Sequence, residues 1–275
     1  MDIDTGRIAD FARTIRKDVV EMVYLAKDGH PGPALSITDI VATLYDSVLR
    51  IDPGNPRWDG RDRLILSKGH SCPAVYSALA RKGYFSPSIL PELRALGSIL
   101  QGHPVMDKTP GIDMTSGSLG NGMSIGVGMA LASAYTKKGF DVFVITGDGE
   151  LQEGIVWEGA LSAAKYRLGR LIVFVDRNGW QSGSTCDEVG GPFPIRPRFE
   201  AFGWHCQEID GHDIRAVASA VEAARKEAGR PSVIIAETVK GKGVPFMEND
   251  NSWHKRVPTK EQYEEAMRIL SERST

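Results

Sequence analysis

The stretch DVFVITGDGELQEGIVWEGALSAAKYRLGRLIVFVDRNGWQ, residues 141–181, decides the fold class. Its two apolar, β-branched runs, VFVI and LIVFV, are short enough for strands and apolar enough to be covered on both faces. Between them QEGIVWEGALSAAKY carries its apolar residues at helical spacing. Strand, helix, strand is the unit of a parallel sheet, and the alternation continues on both sides. HCQEID (205–210) and PSVIIAET (231–238) read as strands around the helix IRAVASAVEAARKE (214–227), and RLILS (63–67) adds one upstream. The spacing predicts helices over 5–27, over 36–50 with Ser36 as N-cap and Asp39 three residues on, within KGHSCPAVYSALARKG (68–83), and over the Ala/Gly-rich 120–139. A short charged helix follows residue 254. Residues 84–118 read as loop with one short helix, and the segment between 178 and 204 reads as loop. No repeat or low-complexity linker divides the chain. The expectation is α/β: one domain over residues 1–275, a parallel sheet with helices on both faces.

Composition excludes several function classes. The 275 residues are 41% hydrophobic and 25% charged, with a formal net charge of −2. That balance argues against nucleic acid and against an anionic membrane as partner. No apolar run approaches the roughly 20 residues a membrane span requires. The N-terminal MDIDTGRIADFARTIRK mixes acids with bases and lacks the apolar core of a secretory signal. Cys72, Cys186 and Cys206 form neither a metal-ligand spacing nor an even disulfide set, which leaves the cytoplasm as the default compartment.

The chemistry lies at the ends of the two quoted strands. In an open parallel sheet, ligands gather at the carboxyl ends of strands, where helix N-termini also point. Asp148 follows the first strand and Asn178, thirty residues on, follows the second. If the strands are neighbours, both side-chain oxygens reach one crevice. Hard oxygen donors of this kind suit Mg2+, which takes few protein ligands and completes its octahedron with water and phosphate oxygens. Gly147 and Gly149 allow an anion to approach the backbone closely. The helix opening near Gln152–Gly154 turns free N–H groups and a positive dipole end toward it. The residues alone point to a Mg2+–diphosphate site. A bare GDG is more often an ordinary strand-to-helix turn; the paired Asn178 favours the metal.

The full string GDGELQEGIVWEGALSAAKYRLGRLIVFVDRN resembles the metal motif of the thiamine diphosphate (TPP) enzymes, and specifically the transketolase branch. Five further blocks stand in that family's order: DGHPG (28–32), SKGHSCPAVYSAL (67–79), GHP (102–104), GSLGNG (117–122) and ETVKGKGVPFMENDNSWH (237–254). The resemblance implies the thiamin diphosphate-binding fold, in its diphosphate-holding form, with TPP and Mg2+ as cofactors. It implies that Asp148, Asn178 and the backbone carbonyl of Trp180 hold the metal, and that His70 and the Gly149 N–H approach the diphosphate. Gly117 and Leu119 match the loop that contacts the aminopyrimidine, with Ser118 where the family usually has proline. His30 and His103 match catalytic positions lining the channel to the reactive carbon. His254 matches one at the cofactor and substrate mouth, where the family often has two histidines and this chain has one. Glu153 matches an acid that bridges subunits beside the cofactor. Lys242 in KGKG falls near the channel or in solvent. Trp157, Phe174 and Trp204 read as core, and no chemistry attaches to Cys72 or Cys186.

By the same resemblance, the pyrimidine half of the site would come from a C-terminal transketolase subunit, in an α2β2 assembly. That partner would supply the glutamate that activates the ring and the basic residues that grip a sugar phosphate. The implied activity is transfer of a two-carbon ketol unit from a ketose to an aldose. A split transketolase for a branched or sulfonated sugar is the near alternative. Deoxyxylulose-phosphate synthases and α-keto-acid dehydrogenases fit less well, because LQEG and WEGAL follow the GDG. A scaffold keeping an idle half-site is the non-enzymatic alternative. The presence together of Asp148, Asn178, His30, His70, His103 and His254 speaks against it. A generic nucleotide-binding domain is disfavoured because no GxGxxG or GxxxxGKS/T follows an early strand.

Overall fold

The computed structural model describes residues 3–191 and 194–272. Five strands, β1 (Arg63–Leu66), β2 (Val142–Gly147), β3 (Leu171–Arg177), β4 (His205–Asp210) and β5 (Ser232–Glu237), form one sheet. Their order is β1-β2-β3-β5-β4, and every neighbouring pair is parallel. Sequence explains the order. The near-continuous apolar runs of β2, β3 and β5 occupy the centre, and the more polar HCQEID of β4 takes an edge.

Side chains alternate with the strand period and so divide the interior in two. Phe143, Ile145, Ile172, Phe174 and Ile234 enter one core; Val142, Val144, Leu171, Val173 and Ile235 enter the other. The first is closed by α1 (Thr5–Ala26), α2 (Pro31–Ser36), α3 (Thr38–Thr43), α4 (Cys72–Lys82), α9 (Ile214–Lys226) and α10 (Lys260–Ser271). The second is closed by α5 (Asn121–Tyr135), α6 (Gly154–Lys165) and α8 (Ile195–Ala201). Each fully buried Phe, Ile or Val stabilises the fold by about 1.5–3 kcal/mol relative to exposure. A sheet covered on both faces leaves its strand ends as the place for a site.

The structure corrects some local expectations. Ser36 is no N-cap: helix runs Pro31–Ser36 and Thr38–Thr43, broken at Ile37 and followed by a wider helical turn, Leu44–Val48. Pro31 starts the first helix, where its missing N–H costs nothing. Ser36 is buried, and its Oγ donates to Asp176 at 2.7 Å. The Asp39 carboxylate accepts from Arg16 at 2.5 Å and pairs with the His212 ring at 2.7 Å instead of capping a helix. The expected loop between 178 and 204 contains α7 (Cys186–Gly190), with a Thr185–Glu188 capping box, and α8. Both are too short to show a helical period. Phe174 and Trp204 are core, but Trp157 is half-buried, donating Nε1–H to the Leu151 carbonyl at 2.7 Å. No described helix is long and apolar enough to cross a membrane.

Candidate active site

β2 and β3 end level, with Gly147 opposite Asp176. The residues that follow therefore meet at the carboxyl edge of the sheet. Asp148 Oδ2 accepts the Gly179 N–H at 2.6 Å and its Oδ1 accepts the Gly149 N–H at 2.9 Å. Asn178 Oδ1 accepts the Trp180 N–H at 3.0 Å. Beside them opens a cavity of about 540 Å³. The residues expected to hold metal, cofactor or substrate all line it: His30, His70, His103, Gly117, Leu119, Asp148, Gly149, Glu153, Asn178, Trp180 and His254. One detail departs from expectation. The Gly149 N–H, expected to face a diphosphate, is taken by its neighbour Asp148.

Four histidines from four separate elements share this space. His30 precedes α2, His70 sits in the 3-10 turn Gly69–Ser71, His103 in a loop, and His254 in the turn Asn251–His254. Gly32 lets α2 lie against the last of these: a β-carbon there would be 2.8 Å from the Trp253 carbonyl oxygen. Ring centroids are 5.2 Å apart for His30–His70, 5.5 Å for His30–His254 and 5.3 Å for His70–His254. Burial, then the charge of Lys255, lowers His30 to about 4. Burial, then Lys240, lowers His254 to about 3. Burial also lowers His70, aided by Lys68, and His103, aided by Arg94. All four are neutral at physiological pH, able to donate from one ring nitrogen and accept at the other.

Beneath the cavity lies a polar hub that the sequence reading passed over. Asp176, fully buried, ion-pairs with buried Lys68 and also accepts from Ser36, Asn178 and Thr238. Burial pushes its pKa up most strongly, but the Lys68 charge and the hydrogen bonds from Lys68, Thr238 and Ser36 together hold it below the usual carboxylate range. The hub ties α2 and the ends of β1, β3 and β5 together, and it fixes the Asn178 side chain through a 2.8 Å bond. Glu150 does the same on the other wall, accepting from Ser67, the Gly120 N–H at 2.6 Å and the Gly147 N–H at 3.0 Å. Asp148 is the unbalanced member. Burial, then repulsion from Asp176, raises its pKa to about 6.

Of the two lysines in the KGKG loop, Lys240, not Lys242, lines the cavity. Lys242 lies 3.9 Å from Glu248 and does not line it. Lys240 Nζ donates to Asn251 Oδ1 at 2.7 Å, to His254 Nδ1 at 3.0 Å and to the Gln181 carbonyl at 3.4 Å. An ammonium only donates, so Nδ1 of His254 accepts and its proton rests on Nε2. Burial, then the charge of Lys68, lowers Lys240 to about 8. Lys240→Met should raise the His254 pKa, because a neighbouring cation is lost while burial stays. An unmoved imidazole titration by NMR would exclude this coupling.

The signals for these missed residues were weak but physical. Asp176 is a charge at the end of an otherwise apolar run, and Lys68 and Lys240 adjoin motif residues. Among the described residues no three His, Cys, Asp or Glu side chains cluster as a ready metal site. The expected donors are instead one carboxylate, one carboxamide and a backbone carbonyl. They fit a hard divalent ion that keeps most of its own water. A buried carboxylate repelled by another, as Asp148 is, is a group that such a cation would stabilise.

A doubly covered parallel sheet with this cavity at its strand ends is a thiamine diphosphate-binding α/β fold. The family described as the transketolase thiamine diphosphate binding domain matches residues 7–270, and the chain belongs to that family. It is 44% identical over 259 residues to the 6-deoxy-6-sulfo-D-fructose transketolase subunit of a Clostridium species, covering 94% of both chains. It is 41% identical to an apulose-4-phosphate transketolase subunit of Phocaeicola vulgatus, covering 94% of this chain and 92% of that one. The transketolase structure from Campylobacter jejuni superposes with a TM-score of 0.92 at 31% identity, over 98% of this chain and 43% of that one. The chain thus spans less than half of that longer transketolase.

Proposed function

We propose that this chain is the diphosphate- and metal-binding subunit of a two-chain transketolase, which moves a two-carbon ketol unit from a ketose to an aldose. The observation that carries this reading is the single cavity that Asp148, Asn178, Trp180 and four neutral histidines line together. Bound TPP supplies the carbon nucleophile for such chemistry. This chain binds, orients and handles protons. Asp148, Asn178 and the Trp180 carbonyl would hold Mg2+, and His70 would meet the diphosphate. His254 offers a proton from Nε2, fixed there by Lys240. His30 Nδ1, buried and without a partner, stands ready for a hydroxyl. Positioned acid–base groups of this kind contribute about 10²–10⁴ in rate.

Two observations support a partner chain. Two relatives that match end to end are named as subunits. In addition, α5 and α6 leave Ile125, Tyr135, Leu161 and Tyr166 exposed, as an interface would require, and Glu153 at the start of α6 makes no cap bond. The partner supplies the pyrimidine half, in an α2β2 assembly. The names of the same relatives favour a branched sugar phosphate or a sulfonated sugar as substrate, beside the ordinary sugar phosphates. Three unpaired cysteines support a cytoplasmic location.

The test is reconstitution. The purified chain alone should catalyse no ketol transfer. Addition of the C-terminal companion, Mg2+ and TPP should restore it, assayed with xylulose 5-phosphate, apulose 4-phosphate and 6-deoxy-6-sulfofructose. Robust turnover by the isolated chain would refute the split-subunit reading.

A further inference from the structure

We propose that the Gln181 carboxamide is a diphosphate donor supplied by this chain, a role that rests on the TPP reading above. The turn after β2 presents one donor fewer than its sequence promises, because the Gly149 N–H is bonded to Asp148. Directly over that glycine lies Gln181. A β-carbon on Gly149 would stand 2.6 Å from Gln181 Cγ and 3.3 Å from Nε2, so glycine is required for this side chain to lie where it does. Its Nε2 is buried and has no hydrogen-bond partner. The carboxamide lies close enough to the Cys186 thiol to lower its pKa against the rise that burial imposes, but the nitrogen meets no partner at hydrogen-bond geometry.

The rest of Gln181 is anchored. Its N–H donates to the Ser184 carbonyl at 2.8 Å, and its own carbonyl accepts from Lys240 at 3.4 Å. An anchored residue with a free buried donor is prepared for an acceptor that arrives from outside. An unpaired buried donor costs about 1–3 kcal/mol, so such groups in a native fold call for an explanation. The cavity it lines is also lined by Lys68, Lys240 and Asp148, and so favours a ligand bearing both anionic oxygens and a bound cation. A diphosphate oxygen accepting from Nε2 would make a charge-assisted bond, stronger than one to a neutral acceptor.

The test measures Mg2+-dependent TPP binding to the complex by calorimetry, with thermal unfolding of the ligand-free proteins alongside. Gln181→Met keeps the length and removes the donor, and Gln181→Glu keeps the shape and sets an anion against the diphosphate. Expected is a roughly 10- to 100-fold rise in Kd for the first, in line with a hydrogen bond to a charged group, and a larger rise for the second. The ligand-free Gln181→Met protein should melt no lower than wild type, because the amide nitrogen has no partner to lose and its unmet burial cost disappears with it. Unchanged affinity in both variants, with the wild type binding normally, overturns the role. Failure of the wild-type complex to bind TPP would instead overturn the underlying reading.

Discussion

Asp176→Ala should cost the protein about 3–5 kcal/mol of stability, the range for removing one partner of a buried ion pair. Lys68 is then left buried with its charge uncompensated, and Ser36, Asn178 and Thr238 lose an acceptor together. At about 2–4 °C per kcal/mol for chains of this general size, the unfolding temperature should fall by roughly 6–20 °C. The cause is tested by the double variant Asp176→Leu/Lys68→Met. With both charges gone, no group is buried unpaired on that account, and most of the lost stability should return. TPP binding should stay impaired in that variant, because Asn178 has lost the 2.8 Å bond that orients it and the cavity has lost the Lys68 cation. An Asp176→Ala protein that melts within a degree of wild type would show that the hub does not hold these four elements together.

That hub also marks where the sequence ran out. The sheet was legible because apolar runs such as LIVFV have one comfortable home, in the middle of a covered parallel sheet. Of the candidate site, Asp148 and Asn178 were legible as strand ends one strand–helix–strand unit apart, whereas His30, His70, His103, His254, Gly117, Leu119, Glu153 and the Trp180 carbonyl were marked only by the family resemblance. Asp176 could not be read the same way. Its importance comes from β1, β2, β3 and β5 ending together, which places Lys68 and Thr238 beside it across 108 and 62 residues of chain. Ser36 failed as a cap for the same reason: a serine ahead of a helical run looks local until a buried carboxylate 140 residues away claims its hydroxyl. Lys240 and Lys242 share one glycine loop, and only the fold decides which of them faces His254. α8 was missed because seven residues, one of them a proline, show no period.

Asp148 should show the opposite of a stabilising role when no ligand is bound. Its carboxyl titrates near 6 in the folded chain against 3.8 ordinarily, so the folded state holds the proton more tightly than the unfolded one. Stability is therefore greatest below pH 4 as far as this group is concerned, and it falls as pH rises from about 4 to about 6. A shift of about two units corresponds to roughly 3 kcal/mol. Asp148→Asn removes the charge but leaves one oxygen to serve both the Gly149 and Gly179 N–H groups, which costs about 1 kcal/mol. The ligand-free variant should thus be more stable than wild type by about 2 kcal/mol at pH 7, with the difference falling to zero between about pH 4 and 5 and reversing toward about 1 kcal/mol below that. Mg2+ and TPP should reverse the order. They stabilise whatever binds them, and the variant's metal affinity should fall by more than the roughly 10–100-fold typical of changes outside the ligand shell. Binding to the wild-type complex should itself weaken about tenfold per unit below pH 6, as protons compete for the carboxylate. Urea unfolding between pH 4 and 7.5, with and without Mg2+ and TPP, reads all of this. A variant less stable than wild type throughout, or one still stabilised by the ligands, would remove Asp148 from the metal site.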